Sequence, residues 1–254
     1  TMSFMGMDVA MIGYQGTVFP VLIAVWFMSH LEKQLRRVIP DSLDIILTPF
    51  LTVVITGFVS LLFIGPAGRS LGEGITFVLT TLYEHAGWLA GLIFGGTYSA
   101  IVITGIHHSF HAIELGLLAD KSVGVNFLLP IWAMANVAQG GACLAVYFKT
   151  KDARIKSIAI PAGVSCLLGI TEAAIFGINL RFVKPFLAAL AGGALGGAWV
   201  VASKVGMTAV GLTGIPGIAI VQSSSVLTYI IGMVIAFGAA FAIATVLRYN
   251  TDAE

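Results

Sequence analysis

Apolar runs of roughly bilayer length alternate with short polar segments along this chain. Residues 9–28 form the first such run, about 20 residues, the length that a hydrocarbon core of roughly 30 Å requires. A basic amphipathic turn follows, His30-Leu31-Glu32-Lys33-Gln34-Leu35-Arg36-Arg37. Residues 45–64 predict a second span, and 77–106 a longer, glycine-broken third region. Residues 127–148 predict a fourth span, closed by the basic segment 149–156; 186–202 and 227–247 predict the last two, with Arg248 after them. The pattern predicts an all-α polytopic membrane protein.

The basic residues orient it. Lys and Arg collect in cytoplasmic loops, so 33–37, 149–156, 181–184 and Arg248 are expected on the cytoplasmic side. The segment between Lys156 and Arg181 then enters and leaves on one side. Its 24 residues are too few for two full crossings but enough for a re-entrant hairpin with its tip near the midplane. Irregular backbone at that depth needs burial in protein or a wet cavity, and Gly163, Gly169 and Gly177 supply permissive positions. Within this apolar stretch stands one carboxylate, Glu172. A charge at membrane depth is costly unless it faces a cavity or a partner, so Glu172 is the first candidate functional residue of a membrane transporter.

Composition agrees and narrows the class. The chain is 58% hydrophobic and 10% charged, against about 25% charged for soluble domains. A net charge of +1 offers no basic stripe for nucleic acid. Cys143 and Cys166 stand in apolar surroundings and are expected to be packing residues. No basic n-region or small-residue cleavage site marks a signal peptide, and Thr1-Met2-Ser3 reads as interior sequence.

A second polar cluster is Thr104-Gly105-Ile106-His107-His108-Ser109-Phe110-His111-Ala112-Ile113-Glu114. On an α-helix His107 and His111 would share a face, as a metal pair does. Neither an H-E-x-x-H pattern nor a third ligand accompanies them, so no metal is expected. Hydrogen-bonded histidines between helices and a polar site for a hydroxyl-rich ligand are the remaining readings. Gln15, Asn126, Asn136, Gln139 and Asn179 are further polar residues at membrane depth, each equally suited to interhelical hydrogen bonding. Trp26, Trp88 and Trp132 suit interfacial belts or a sugar-stacking platform, with belts preferred. Gly192-Gly193-Ala194-Leu195-Gly196-Gly197 is a small-residue packing face and lacks the Lys-Ser/Thr ending of a phosphate loop.

The string G-I-T-E-A-A-I-F-G-I-N-L-R-F-V-K-P-F, from Gly169, resembles the signature of the membrane (IIC) component of sugar permeases in the bacterial phosphoenolpyruvate-dependent phosphotransferase system. T-G-I-H-H-S-F-H-A-I-E, V-N-F-L-L-P-I-W-A-M-A-N-V-A-Q-G-G-A and G-Y-Q-G-T-V-F-P-V-L resemble it too. Within the glucose, glucoside and sucrose superfamily the likeness is to the sucrose branch, and Ala173 in place of the usual proline agrees with that branch. The resemblance implies a homodimeric fold of transmembrane helices plus re-entrant hairpins in the inner membrane, surrounded by lipid. Of that fold, 1–254 is the later, C-terminal portion, without an EIIB or EIIA domain.

It also implies sucrose binding, translocation and phosphorylation to sucrose 6-phosphate by a phosphocysteine on the partner EIIB domain, with no cofactor. Trehalose, a β-glucoside or N-acetylmuramic acid are alternative substrates. Glu172 matches the signature glutamate, and His107 or His108 the family histidine. Thr171, Asn179 and Arg181 complete the signature, Arg181 either steadying the hairpin base or meeting an incoming phosphoryl group. His111, Gln15, Asn136 and Gln139 join the candidate sugar contacts. An ion-coupled carrier using Glu172 and the histidines as a proton relay, and a non-transporting scaffold, are the competing classes.

Overall fold

The fold is that of a computed structural model, which describes residues 2–4, 7–9, 18–120 and 123–250. Gln15 lies outside the described residues. Two compact units emerge, Thr1–Val78 with His108–Ile113, and Leu79–His107 with Glu114–Glu254.

In the first unit a small antiparallel hairpin, β1 (Met2–Phe4) and β2 (Met7–Val9), pairs Met2 with Val9. Helix α1 (Val18–Val38) follows and covers residues 18–28 of the predicted 9–28 span, whose first residue falls in β2; residues 10–17 lie outside the described residues. Pro40 ends α1 and starts α2 (Asp41–Val59), and Arg36 bridges Glu32 at 2.8 Å and Asp44 at 2.7 Å across the turn.

Helix α2 runs through a widened turn, Ser60–Ile64, into α3 (Gly65–Ala86), giving 46 continuous helical residues. The sequence pattern places a break between 64 and 77, and the structure corrects this. At the widened turn the Gly65 N–H donates to Ser60 O, five residues back. That register change accommodates Pro66, which has no N–H to give. The break falls instead at Gly87, whose φ of +54° turns the chain into α4 (Trp88–Ile103).

The second unit is built around α6 (Leu128–Lys149), which is buried along nearly its whole length. Helices α10 (Lys184–Ala202) and α11 (Val226–Val246) pack on it and on each other, and α4 packs on α10. Small residues permit that approach: a Cβ on Gly95 would collide with Gly193 O, and one on Gly91 with Gly197 O. The same pairing makes α4 and α10 antiparallel. After α4 the chain turns by 116° into residues Ile106–Ala119, with Gly105 at φ +75° in the break. Helix α5 (Phe110–Ala119) forms most of the continuation.

The hairpin predicted between Lys156 and Arg181 is present. Its outgoing limb, α7 (Ala153–Leu167), is capped by Asp152, which accepts from Arg154 N at 2.7 Å. Fifteen residues reach about 22 Å, short of a full crossing. The turn at 168–171 is closed by Ser165, whose Oγ donates to Ile170 O at 2.9 Å. The chain returns through α8 (Glu172–Ala174), a widened turn Ile175–Asn179 and α9 (Leu180–Phe182), and leaves the helix at Val183, φ +58°.

Among the described residues, four helical stretches are long and apolar enough to cross a membrane, or five if the bent pair counts as one span. The basic residues gather at one end of the second unit. Lys149 Nζ donates to the carbonyls of Ala244, Thr245 and Leu247 at 3.3, 2.9 and 2.5 Å, neutralising the C-terminal end of α11. Lys184 Nζ donates to Arg248 O, and Phe182 lies near Tyr249. Both feet of the hairpin therefore stand at this basic end, the cytoplasmic side by the distribution of charge.

Candidate functional site

Glu172 opens the return limb of the hairpin, immediately after the tip, and its side chain is exposed. Among the described residues its carboxylate makes no hydrogen bond, which leaves its oxygens available as acceptors. Contacts along α6 fix the level of the tip. Gly140 faces Gly163 and Cys166, while Asn179 meets Gln139. Glu172 stands seven positions before Asn179 along the return limb, which puts it beside the N-terminal half of α6.

Tyr98 of α4 packs against the same stretch of α6. The Tyr98 ring stacks on Trp132 at 4.4 Å and 15°, and His107 meets its edge at 6.3 Å and 81°. His107, Tyr98 and Trp132 thus pack together in the second unit. Tyr98 and Trp132 are 7% and 2% exposed, so this stack is interior packing, and the exposed carboxylate of Glu172 is the group there that can accept hydrogen bonds from a polyhydroxylated ligand.

Other candidates take different places. His107 and His111 do not share a helical face, because Ile106–Ser109 is a tight three-residue-per-turn helix. Residues three apart eclipse there, so His108 pairs with His111, ring centroids 5.9 Å apart. Asn179 and Gln139 are fully buried, and Asn179 Nδ2 donates to Gln139 Oε1 at 2.7 Å and to Gln139 O at 2.9 Å. With no accessible surface they tie the return limb to α6. The widened turn at 175–179 delivers Asn179 to that position, a local distortion often found at functional sites.

Asn136 Nδ2 donates to Thr213 Oγ1 at 3.0 Å. Thr171 is buried, and its carbonyl accepts from Ile175 N at 2.8 Å, starting the return limb. Arg181 is exposed beside Phe182 at the hairpin base; nine helical residues separate it from Glu172, about 13 Å. No group of three His, Cys, Asp or Glu side chains fit to hold a metal occurs among the described residues.

Several residues here escape sequence reasoning. Trp132, assigned to an interfacial belt, is 2% exposed, whereas Trp26 and Trp88 are 63% and 54% exposed, as belt residues are. Tyr98 carried no signal in an apolar helix. Residues 203–225 have no periodicity, yet they pair with themselves and with the start of α6: Asn126 and Met207 exchange both backbone hydrogen bonds at 2.9 Å, and Thr208 N donates to Ile220 O. The turn formers Gly206, Gly211, Gly214, Pro216 and Gly217 were the available hint.

Comparison with known proteins decides the family. The family model for the phosphotransferase system EIIC matches residues 1–193. The chain belongs to this family. It is 76% identical over 254 residues to the sucrose-specific EIIBC component of Salmonella typhimurium, covering all of this chain and 56% of that protein. It is 59% identical to the Bacillus subtilis sucrose-specific EIIBC component over 256 residues, covering 100% of this chain and 55% of that protein. A trehalose-specific EIIBC component of Bacillus subtilis is 39% identical over 237 residues, covering 93% of this chain and 50% of that protein. The chain thus spans about half the length of these curated relatives. No solved structure matches it. With its apolar helices, membership makes this EIIC chain a multi-pass inner membrane protein.

Proposed function

We propose that this EIIC chain binds sucrose and carries it across the inner membrane while a phosphorylated EIIB domain converts it to sucrose 6-phosphate. What supports the reading is the hairpin, whose return limb opens with the exposed Glu172 carboxylate immediately after the tip. Support for sucrose is the higher identity to sucrose-specific components, 76% against 39% for the trehalose-specific one. On this reading Glu172 accepts hydrogen bonds from sugar hydroxyls, and His107 is the family histidine. His108 is the less favoured choice, since it pairs with His111 rather than with Tyr98. The permease acts as a homodimer in lipid.

The chemistry is a displacement at phosphorus. The 6-hydroxyl oxygen of the glucosyl unit attacks the phosphoryl group on the EIIB cysteine, forming a P–O bond as the P–S bond breaks. Glu172 takes the hydroxyl proton, the sulfur leaves as thiolate, and positioning supplies most of the remaining catalysis. The added charge traps the sugar inside. Arg181, at the basic end with Lys184, steadies the hairpin base.

To test this, the matching 254 residues of the Salmonella typhimurium component are exchanged for this chain, and radiolabelled sucrose phosphorylation is measured in membranes. Wild type is expected to form sucrose phosphate, and excess trehalose to compete weakly. Glu172→Gln at equal expression is expected to lower the rate by about 100-fold or more, the scale of a lost general base. A silent Glu172→Gln would contradict the assignment.

A further inference from the structure

The connection 203–225 grips the tip of the hairpin from both sides. On one side Gly169, at φ +91°, lies so near Thr213 that a Cβ on it would come within 2.6 Å of Thr213 Oγ1. On the other, a Cβ on Gly214 (φ +63°) would collide with Leu167 O, and Ile215 N donates to that same carbonyl at 2.7 Å. Leu167 ends the outgoing limb and Gly169 lies in the turn that follows, so both contacts bear on the backbone that sets the start of α8. The connection is itself fixed at two points. Thr213 Oγ1 accepts from Asn136 Nδ2 of α6 at 3.0 Å, and Gly214 O accepts from the Tyr229 hydroxyl of α11 at 2.8 Å.

Asn136, Thr213 and Tyr229 are all buried. Water competes little for such bonds, and losing one partner leaves a costly unpaired group. Asn136 belongs to α6, which is packed between α10, α11 and α7. The Thr213 hydroxyl therefore joins the most fixed helix of the unit to a turn whose next element begins with Glu172.

Resting on the proposed sugar phosphotransfer, we infer that Thr213 is a positioning residue: through its hydroxyl bond to Asn136 and its contact with Gly169 it holds the hairpin tip so that the Glu172 carboxylate meets the sugar. It touches no substrate itself. Asn136, whose amide donor is engaged by Thr213, takes part as the fixed end of this brace.

Thr213→Val, Thr213→Ala and Thr213→Ser are compared with wild type in the full-length exchange protein. Equilibrium binding of radiolabelled sucrose counts competent sites, and phosphorylation is expressed as turnover per site. Thr213→Val is expected to keep its sites while turnover per site falls about tenfold, the effect of one lost buried hydrogen bond. Thr213→Ser, which keeps the hydroxyl, should recover most of it. If Val prevents insertion, Ala is read in the same way. Unchanged turnover per site in the hydroxyl-free variant overturns the inference, whether or not sites are lost, because a merely structural residue changes only their number. No recovery with Ser overturns it as well. An inactive wild type would instead sink the phosphotransfer reading, and this inference with it, whereas active wild type with unaffected variants removes the brace alone.

Discussion

Removing the Asn179 amide leaves the buried Gln139 side-chain oxygen and carbonyl without the donor they share. Asn179→Leu should therefore destabilise the protein by about 2–3 kcal/mol, read as an earlier unfolding midpoint in detergent. Adding Gln139→Leu should give back part of that loss, because replacing both partners avoids an orphaned polar group. At the basic end, burial pushes the Tyr249 hydroxyl up to about 12, above the usual value of about 10. The folded chain thus holds that proton where the unfolded chain releases it. The contribution is intact below about pH 10 and is lost as pH rises toward 12. Tyr249→Phe should flatten the fall in stability over that interval. The place of Glu172 in the hairpin was legible because an apolar stretch makes a lone carboxylate conspicuous. The Tyr98–Trp132 stack was not, since an aromatic in an apolar helix gives no sign of whether it faces lipid or protein.

Helices α4 and α10 meet through backbone, so a single methyl is enough to part them. Gly95→Ala would drive a Cβ into Gly193 O and should cost about 1–3 kcal/mol, the range of core overpacking. Gly57→Ala, where nothing lies within 4 Å, should be neutral or slightly stabilising; equal losses at the two positions would contradict the packing account. Val183, β-branched at φ +58°, holds a backbone shape that favours glycine. Element boundaries followed hydropathy wherever tertiary packing agreed with it: 127–148 became Leu128–Lys149, and 227–247 became Val226–Val246. They departed where backbone hydrogen bonding decided instead. The widened turn before Pro66 kept one long helix intact, and the tight turn at Ile106–Ser109 exchanged the His107–His111 pairing for His108–His111. Hydropathy reports burial and is blind to a change of helical register.

In the second unit, charge and geometry give the same topology. Lys149, Lys184 and Arg248 converge at one end, and the short hairpin starts and finishes there. Single cysteines at Lys151 and Lys184 should both react with an impermeant maleimide only from the cytoplasmic side; opposite-side labelling would turn the hairpin into a crossing. That both feet of the hairpin share one end was readable from sequence because it depends on where the charges fall. The brace at 203–225 was not, because it depends on which distant backbones touch. The account as a whole asks for a hairpin that offers sucrose to an external phosphoryl donor, and the most direct test is EIIB dependence. In the full-length exchange protein, the phosphoryl-accepting cysteine of EIIB is replaced by serine, and labelled sugar in cells is resolved into free and phosphorylated pools. The account predicts that sucrose phosphate disappears and that no free sucrose accumulates above the external level. Concentration of unmodified sucrose in that variant would contradict it and favour an ion-coupled carrier.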